Sequence, residues 1–239
     1  MPNYVANKLS VTIKNEEMFD KFLNAVKSEE LDFDFNKIIP MPDCLKGTEE
    51  SSATHNAIYY YLFRNGKTDE YAQMCTFPMH NLDKVLEQKT SLELEEMYKL
   101  GEKYYKIFQE TGAISWYYWS LNNWGTKWNA SDVSMYENNL GVIFFFQTAW
   151  SGVPEIINRL HTMFPELEFD YLYADEDFTY NCGKGYTEDG DFIFHQIENG
   201  SDSAFQAYCE CWGEDEDNFI KEDGYWVRRE DYDEFEDEE

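Results

Sequence analysis

The sequence predicts an α+β fold: an antiparallel sheet with two helices on one face, a long helical insertion and an acidic C-terminal extension. Three observations predict it. Strand-like alternation and helical periodicity succeed one another in strand–helix–strand order over residues 4–39, and again over 141–174. Residues 44 to about 122 are dominated by helical spacing. Charge gathers late in the chain: residues 166–239 hold 26 acidic and 4 basic side chains, against 22 and 15 in residues 1–165. Two β-α-β units in succession make the split, ferredoxin-like arrangement. The expected layout is such a domain over 1–213, interrupted at about 44–122, then an acidic tail over 214–239.

In YVANKLSVTI (4–13), Val5, Leu9, Val11 and Ile13 fall at even spacing, as in a half-buried strand. Asn15 is placed to cap a helix whose apolar stripe is Met18, Phe19, Phe22, Leu23 and Val26. LDFDFNKII (31–39) alternates again and reads as a second strand, stopped by PMPD. In the insertion, Thr90 and Glu93 have capping-box spacing, and Met97, Leu100, Tyr104 and Phe108 recur at helical intervals up to Gly112. GVIFFFQTAW (141–150) has the length and aromatic content of a central strand. A helix starting near Pro154 buries Ile156, Ile157, Leu160 and Phe164, and LEFDYLYA (167–174) alternates as the next strand. GYTEDGDFIFHQI and SAFQAYCECW read as a hairpin or strand pair extending the sheet. The run from Glu214 reads as solvated, with GYWVRRE able to add one more strand.

Aromatic residues make up 18% of the chain, too much apolar surface for disorder. MPNYVANKLSV lacks the basic start and apolar core of a secretion signal, and the longest apolar run, LGVIFFF, is strand-sized, so a cytoplasmic protein is expected. Five cysteines, odd in number and scattered, fit reduced thiols. A net charge of −29 repels phosphate backbones, so direct nucleic-acid binding is not expected and a basic partner is favoured.

Five blocks, MPNYVANKLSV, FDFNKIIPMP (33–42), NWGTKWNA (123–130), TAWSGVP (148–154) and FPELEFDYLYADED (164–177), occur in an order that resembles the ferredoxin-like domain family typified by the plasmid protein YubB, also found in phage genomes. The resemblance runs from residue 1 to about 185, with 44–122 as the variable insert. It implies a ferredoxin-like fold, a source in phages, plasmids or bacteria, and no assigned activity or catalytic residue. TAWSGVP departs from the family's TAWSPP, which shifts the proline within the helix start.

Trp124 and Trp128 flank Gly125 in NWGTKWNA. They read either as a core seam or as a ligand groove lined with Trp150, in which Asn123, Lys127, Asn129 and Asp132 are polar anchors. Cys182, His195, Cys209 and Cys211 are the metal candidates: Cys-x-Cys on a strand would aim both thiols to one side, yet the spacings match no standard zinc site. DEDFTYNCG (175–183) lacks the glycine and glutamate of a calcium loop, and CGKGYT lacks the spacing of a phosphate loop. A base-stacking platform of Phe144, Phe146, Phe169 and Tyr171 is disfavoured by charge and by the missing basic–aromatic motif.

The expected function is therefore non-enzymatic, with no catalytic residue, metal or cofactor implied. A phage- or plasmid-borne protein would bind a basic host protein through Asp215, Asp217, Asp223, Glu230, Asp231, Asp233 and Glu234, as an acidic mimic of nucleic acid inhibiting a defence or nucleic-acid enzyme. The alternatives are a small-molecule or nucleotide binder at the tryptophan cleft, and an oligomer joined through aromatic sheet faces.

Overall fold

Along the first strand, Val5, Asn7, Leu9 and Val11 are buried on one side, while Ala6, Lys8 and Ser10 face the other. That parity organises the molecule. The computed structural model describes residues 3–13, 15–75 and 82–229. In chain order the elements are β1 (Tyr4–Thr12), α1 (Glu16–Val26), α2 (Phe35–Ile38), α3 (Ser52–Arg64), α4 (Tyr71–Met74), α5 (Leu82–Glu87), α6 (Ser91–Thr111) and α7 (Trp116–Trp124). There follow β2 (Ser131–Asn138), β3 (Gly141–Ala149), α8 (Pro154–Met163), β4 (Glu168–Asp175), β5 (Gly183–Glu188), β6 (Asp191–Gln196), α9 (Asp202–Trp212), β7 (Phe219–Glu222) and β8 (Tyr225–Arg228). They divide into two units, one of Met1–Pro40 with Asn123–Glu239, the other of Met41–Asn122.

In the first unit the sheet runs β2-β3-β1-β4-β5-β6, every neighbouring pair antiparallel. Its first four strands in spatial order, with α1 and α8, form the ferredoxin-like β-α-β-β-α-β arrangement. The second strand of the first half is β2, which follows the insertion, rather than residues 31–39. Those residues are not a strand: Asp34 caps α2 by accepting from Asn36 N, and Phe33 and Phe35 turn into the core. The Phe33 ring lies 5.1 Å from Phe144 and 4.9 Å from Phe146. Alternation in a five-residue window marked two inward rings and could not separate a strand from a turn followed by a helical turn.

Phe22 of α1 sits at 0% exposure among Phe144, Phe164 and Phe169, and Ile156, Ile157 and Leu160 of α8 close the same side. The opposite side of the sheet carries α9. Residues 202–212 are thus a helix, not a strand. Ser201 caps it through Ala204 N, Gly213 ends it at φ 69°, and Ala204, Ala207 and Cys211 pack on Ala6 and Ala174. Lys8 Nζ meets Glu210 Oε1 at 2.5 Å across that contact.

β5 and β6, both drawn from the first of the two stretches read as a hairpin or strand pair, form a hairpin around Asp189 (φ 52°) and Gly190 (φ 88°), the all-positive turn that suits strand twist. CGKGYT lies in the strand itself, and its glycines serve packing. A Cβ at Gly183 would stand 2.5 Å from the Tyr173 ring, and one at Gly185 would overlap Phe192. The run after Glu214 is folded through Arg228: β7 and β8 pair, Phe219 is buried against Phe178 and Phe205, and Trp226 stacks on Phe205 at 3.8 Å.

In the second unit α3 and α6 cross so closely at Gly101 that a Cβ there would overlap the Ala57 carbonyl. Thr90 and Glu93 form the capping box expected for α6, and Gly112 ends it at φ 73°. Tyr104 OH donates to Glu49 O at 2.9 Å, and Trp116 N donates to Thr48 Oγ1 at 3.0 Å. Among the described residues no helix is long and apolar enough to cross a membrane.

Candidate functional site

NWGTKWNA and TAWSGVP are neighbours in space, joined by hydrogen bonds that begin with a polar residue on the apolar side of β1. Asn7, 1% exposed, donates through Nδ2 to Thr148 Oγ1 and Val5 O, both at 2.9 Å. Tyr171 OH donates to Asn7 Oδ1 at 2.6 Å and accepts from Val153 N at 2.6 Å. Thr148 Oγ1 donates to Ser151 O at 2.7 Å, and Ser151 Oγ donates to Gly125 O at 2.5 Å. Thr126 Oγ1 donates to Ala149 O at 2.8 Å and accepts from Ala149 N at 3.0 Å. Burial pushes the Tyr171 phenol far above the ordinary tyrosine range. The hydroxyl therefore stays protonated and keeps both bonds. In a medium this dry each bond left unmade costs more than it would in water, so the network fixes the chain path at this end of the sheet.

The three tryptophans separate on this frame. Trp124, 3% exposed, donates Nε1–H to Ile39 O at 2.9 Å and packs against Phe35 at 5.8 Å; it belongs to the core. Trp128 and Trp150 are 39% and 40% exposed. The Lys127 ammonium lies over both rings, 4.4 Å from the Trp128 centroid and 5.3 Å from that of Trp150. Asn129 braces α2 instead, with Oδ1 accepting from Phe35 N at 2.9 Å and Nδ2 donating to Asp34 at 2.7 Å. Asn123 is partly exposed near the end of α7, and Asp132 is exposed at φ 47° beside the bulge in β2. Lys127, Trp128 and Trp150 come together; Trp124 and Asn129 serve the core.

Trp150 adopts φ 70°, a conformation that costs a bulky side chain about 1–3 kcal/mol and persists only where the surroundings impose it. Its N donates to Asn3 O at 2.9 Å, and its carbonyl accepts from Asn181 Nδ2 at 3.0 Å. Asn181 also holds Asp175 at 2.7 Å, and Asn3 holds Asp177 at 3.0 Å. The acidic stretch DEDFTYNCG thus acts as a brace for Trp150. Asn3, Asp175 and Asn181 escaped the sequence reading because nothing in their spacing marks a contact across 172 residues. Asn7 left a clue: a polar residue at an inward position of an alternating strand.

The metal candidates disperse. On α9, Cys211 faces Cys182, Ala6 and Ala174, whereas Cys209 faces Phe205 and Phe219. His195 is exposed on β6, 6.0 Å from the Tyr186 ring. Burial pushes the thiols of Cys182 and Cys209 up to about 11, which is the behaviour of packing residues. Among the described residues no cluster of His, Cys, Asp and Glu has the form of a metal site. The stacking platform is also absent: Phe144, Phe146, Phe169 and Tyr171 are at most 2% exposed beneath α1 and α8.

Of the acidic candidates, Asp215 and Asp217 are exposed before β7, where Asp215 Oδ1 accepts from Asp217 N at 3.0 Å. Asp223, with Gly224, makes the exposed β7–β8 turn at φ 48° and 90°. The nearby bases have internal partners: Arg228 with Glu214 at 2.7 Å, Lys221 with Asp202, and Arg229 with the Asp217 carbonyl at 2.6 Å. Glu230, Asp231, Asp233 and Glu234 lie outside the described residues. Counted over the whole chain, 1–40 and 123–239 hold 36 acidic and 11 basic side chains, a net of −25; 41–122 hold 12 and 8, a net of −4.

Residues 123–220 match the model of a protein family described as the ferredoxin-like domain in Api92-like protein. That span opens at NWGTKWNA and closes within β7. Among solved structures, the crystal structure of a protein Api92 from Yersinia pseudotuberculosis is similar at 8% identity over 84% of this chain and 100% of that one, with a TM-score of 0.38. No curated protein matches the chain.

Proposed function

We propose that the protein is a non-enzymatic binding module, carried by a phage or plasmid and related to the YubB-type family, that engages a basic host protein through the acidic side of its ferredoxin-like unit. One observation carries the reading: the net charge of −25 belongs to that unit, while the insertion carries only −4. Carboxylates on one unit make a field that steers a basic partner and speeds encounter. The exposed Asp215, Asp217 and Asp223 sit on folded supports, a capped turn and a hairpin, and prior folding limits the ordering cost of binding. In its sharper form the surface imitates a nucleic-acid backbone and occupies the groove of a defence or nucleic-acid enzyme.

The test starts with the full chain as bait in bacterial extract and continues with the identified, purified partner. Affinity is then measured across a salt series for the wild type and for Asp215→Asn/Asp217→Asn/Asp223→Asn. Affinity that falls with salt, and falls again in the triple variant, supports the reading. Binding indifferent to both overturns it.

A further inference from the structure

The three residues Lys127, Trp128 and Trp150 pose a question that folding does not answer. Two indoles stand about 40% exposed in a protein that buries Trp119 and Trp124 to 5% and 3%. Trp150 is held there in a left-handed backbone conformation by Asn3 and Asn181. Glycine would adopt that conformation without strain, so the tryptophan is present for its ring. Both rings turn a face to one ammonium group, at 4.4 and 5.3 Å, inside the range where the ring quadrupole attracts a cation. Two aromatic faces turned to one ammonium are the chemistry that recognises an organic cation.

We infer that Trp128 and Trp150 form a clamp for a lysine side chain of a protein partner, and that Lys127 holds the clamp's place in the unbound protein. The occupant is an ammonium on an alkyl stem because that group already lies over both rings. Charge complementarity favours a basic partner, since the unit carrying the clamp has a net charge of −25. Exchange proceeds by rotation of the Lys127 side chain about its own bonds, beside a backbone held by Thr126 and Ser151. The inference rests on the proposed binding of a basic protein and adds the atoms that would read it.

The test is a calorimetric titration of the full chain with an acetylated octalysine peptide at low and at physiological salt. Trp128→Ala and Trp150→Ala are each expected to weaken binding about fivefold, the equivalent of one cation–π contact. Lys127→Met, which vacates the clamp, is expected to tighten it about fivefold. Lys184→Met on β5 makes the same change in net charge and is expected to leave affinity within about twofold, well short of a single cation–π contact. Melting curves confirm that each variant is folded. If the tryptophan variants bind like the wild type, or Lys184→Met tightens binding as much as Lys127→Met, the clamp is refuted while the acidic surface stands. If the wild type does not bind the peptide at either salt, both fall.

Discussion

Replacing Tyr171 by Phe removes one hydroxyl that makes two bonds in the buried network. Two groups lose their partner, the Asn7 carbonyl oxygen and the Val153 amide, each held at 2.6 Å by that hydroxyl in a side chain with 0% exposure. A buried polar group left unpaired costs about 1–3 kcal/mol. The sum for two is therefore about 2–6 kcal/mol, of which the ring's unchanged apolar burial recovers little. For a chain of this size that lowers the melting temperature by roughly 4–24 °C. Urea unfolding of wild type and variant, followed by tryptophan fluorescence and fitted with a common slope, measures it. A loss below about 0.5 kcal/mol would mean that the Asn7 and Val153 groups find other partners, and that the hydrogen bonds joining TAWSGVP to the sheet do not hold it.

Gly101→Ala forces a methyl into the Ala57 carbonyl, and thermal unfolding is expected to show the helical unit weakened by at least about 1–3 kcal/mol. Gly183→Ala presses on the Tyr173 ring and is expected to cost a similar ~1–3 kcal/mol; an unchanged urea midpoint would contradict the packing role assigned to that glycine. Cys182 and Cys209 are buried with thiols raised to about 11, so the folded state holds their protons where the unfolded chain releases them. Stability contributed by these two groups is complete below the ordinary thiol pKa and is lost as pH rises from about 9 toward 11, by up to ~1.4 kcal/mol per pH unit for each thiol. Melting temperatures taken in a phosphine reductant should hold level to about pH 8.5 and then fall; a flat profile to pH 11 would contradict the burial.

Much of the sheet was legible because its strands alternate with few exceptions, and the α6 capping box was legible because it is local. The failures have physical causes. Residues 31–39 and 202–212 both carry aromatic residues at short spacing, and in short windows inward rings fit either period. For 202–212 the capping signals, Ser201 before and Gly213 after, were present and favour a helix. β2 was hidden by exposure: SDVSMYEN lies at the sheet edge with no buried residue among its eight, so no apolar alternation marks it. At the candidate site the sequence left the tryptophan pair open between a core seam and a groove; Trp124 fills the core, and Asn129, read as a polar anchor of the groove, braces a turn. Which member of a tryptophan pair faces water depends on contacts to Phe35 and Ile39, about 85 residues away, and local sequence holds no record of those.

Imitation of nucleic acid is tested most directly by a competition measurement. Purified nucleic-acid enzymes with basic grooves are loaded with labelled duplex DNA, and the protein is titrated in while fluorescence anisotropy is followed. Release of DNA from a subset of the enzymes is expected, lost at raised salt and weakened by Asp215→Asn/Asp217→Asn/Asp223→Asn. DNA retained on every enzyme at concentrations far above the enzyme's own, or release that ignores both salt and the triple substitution, would contradict it.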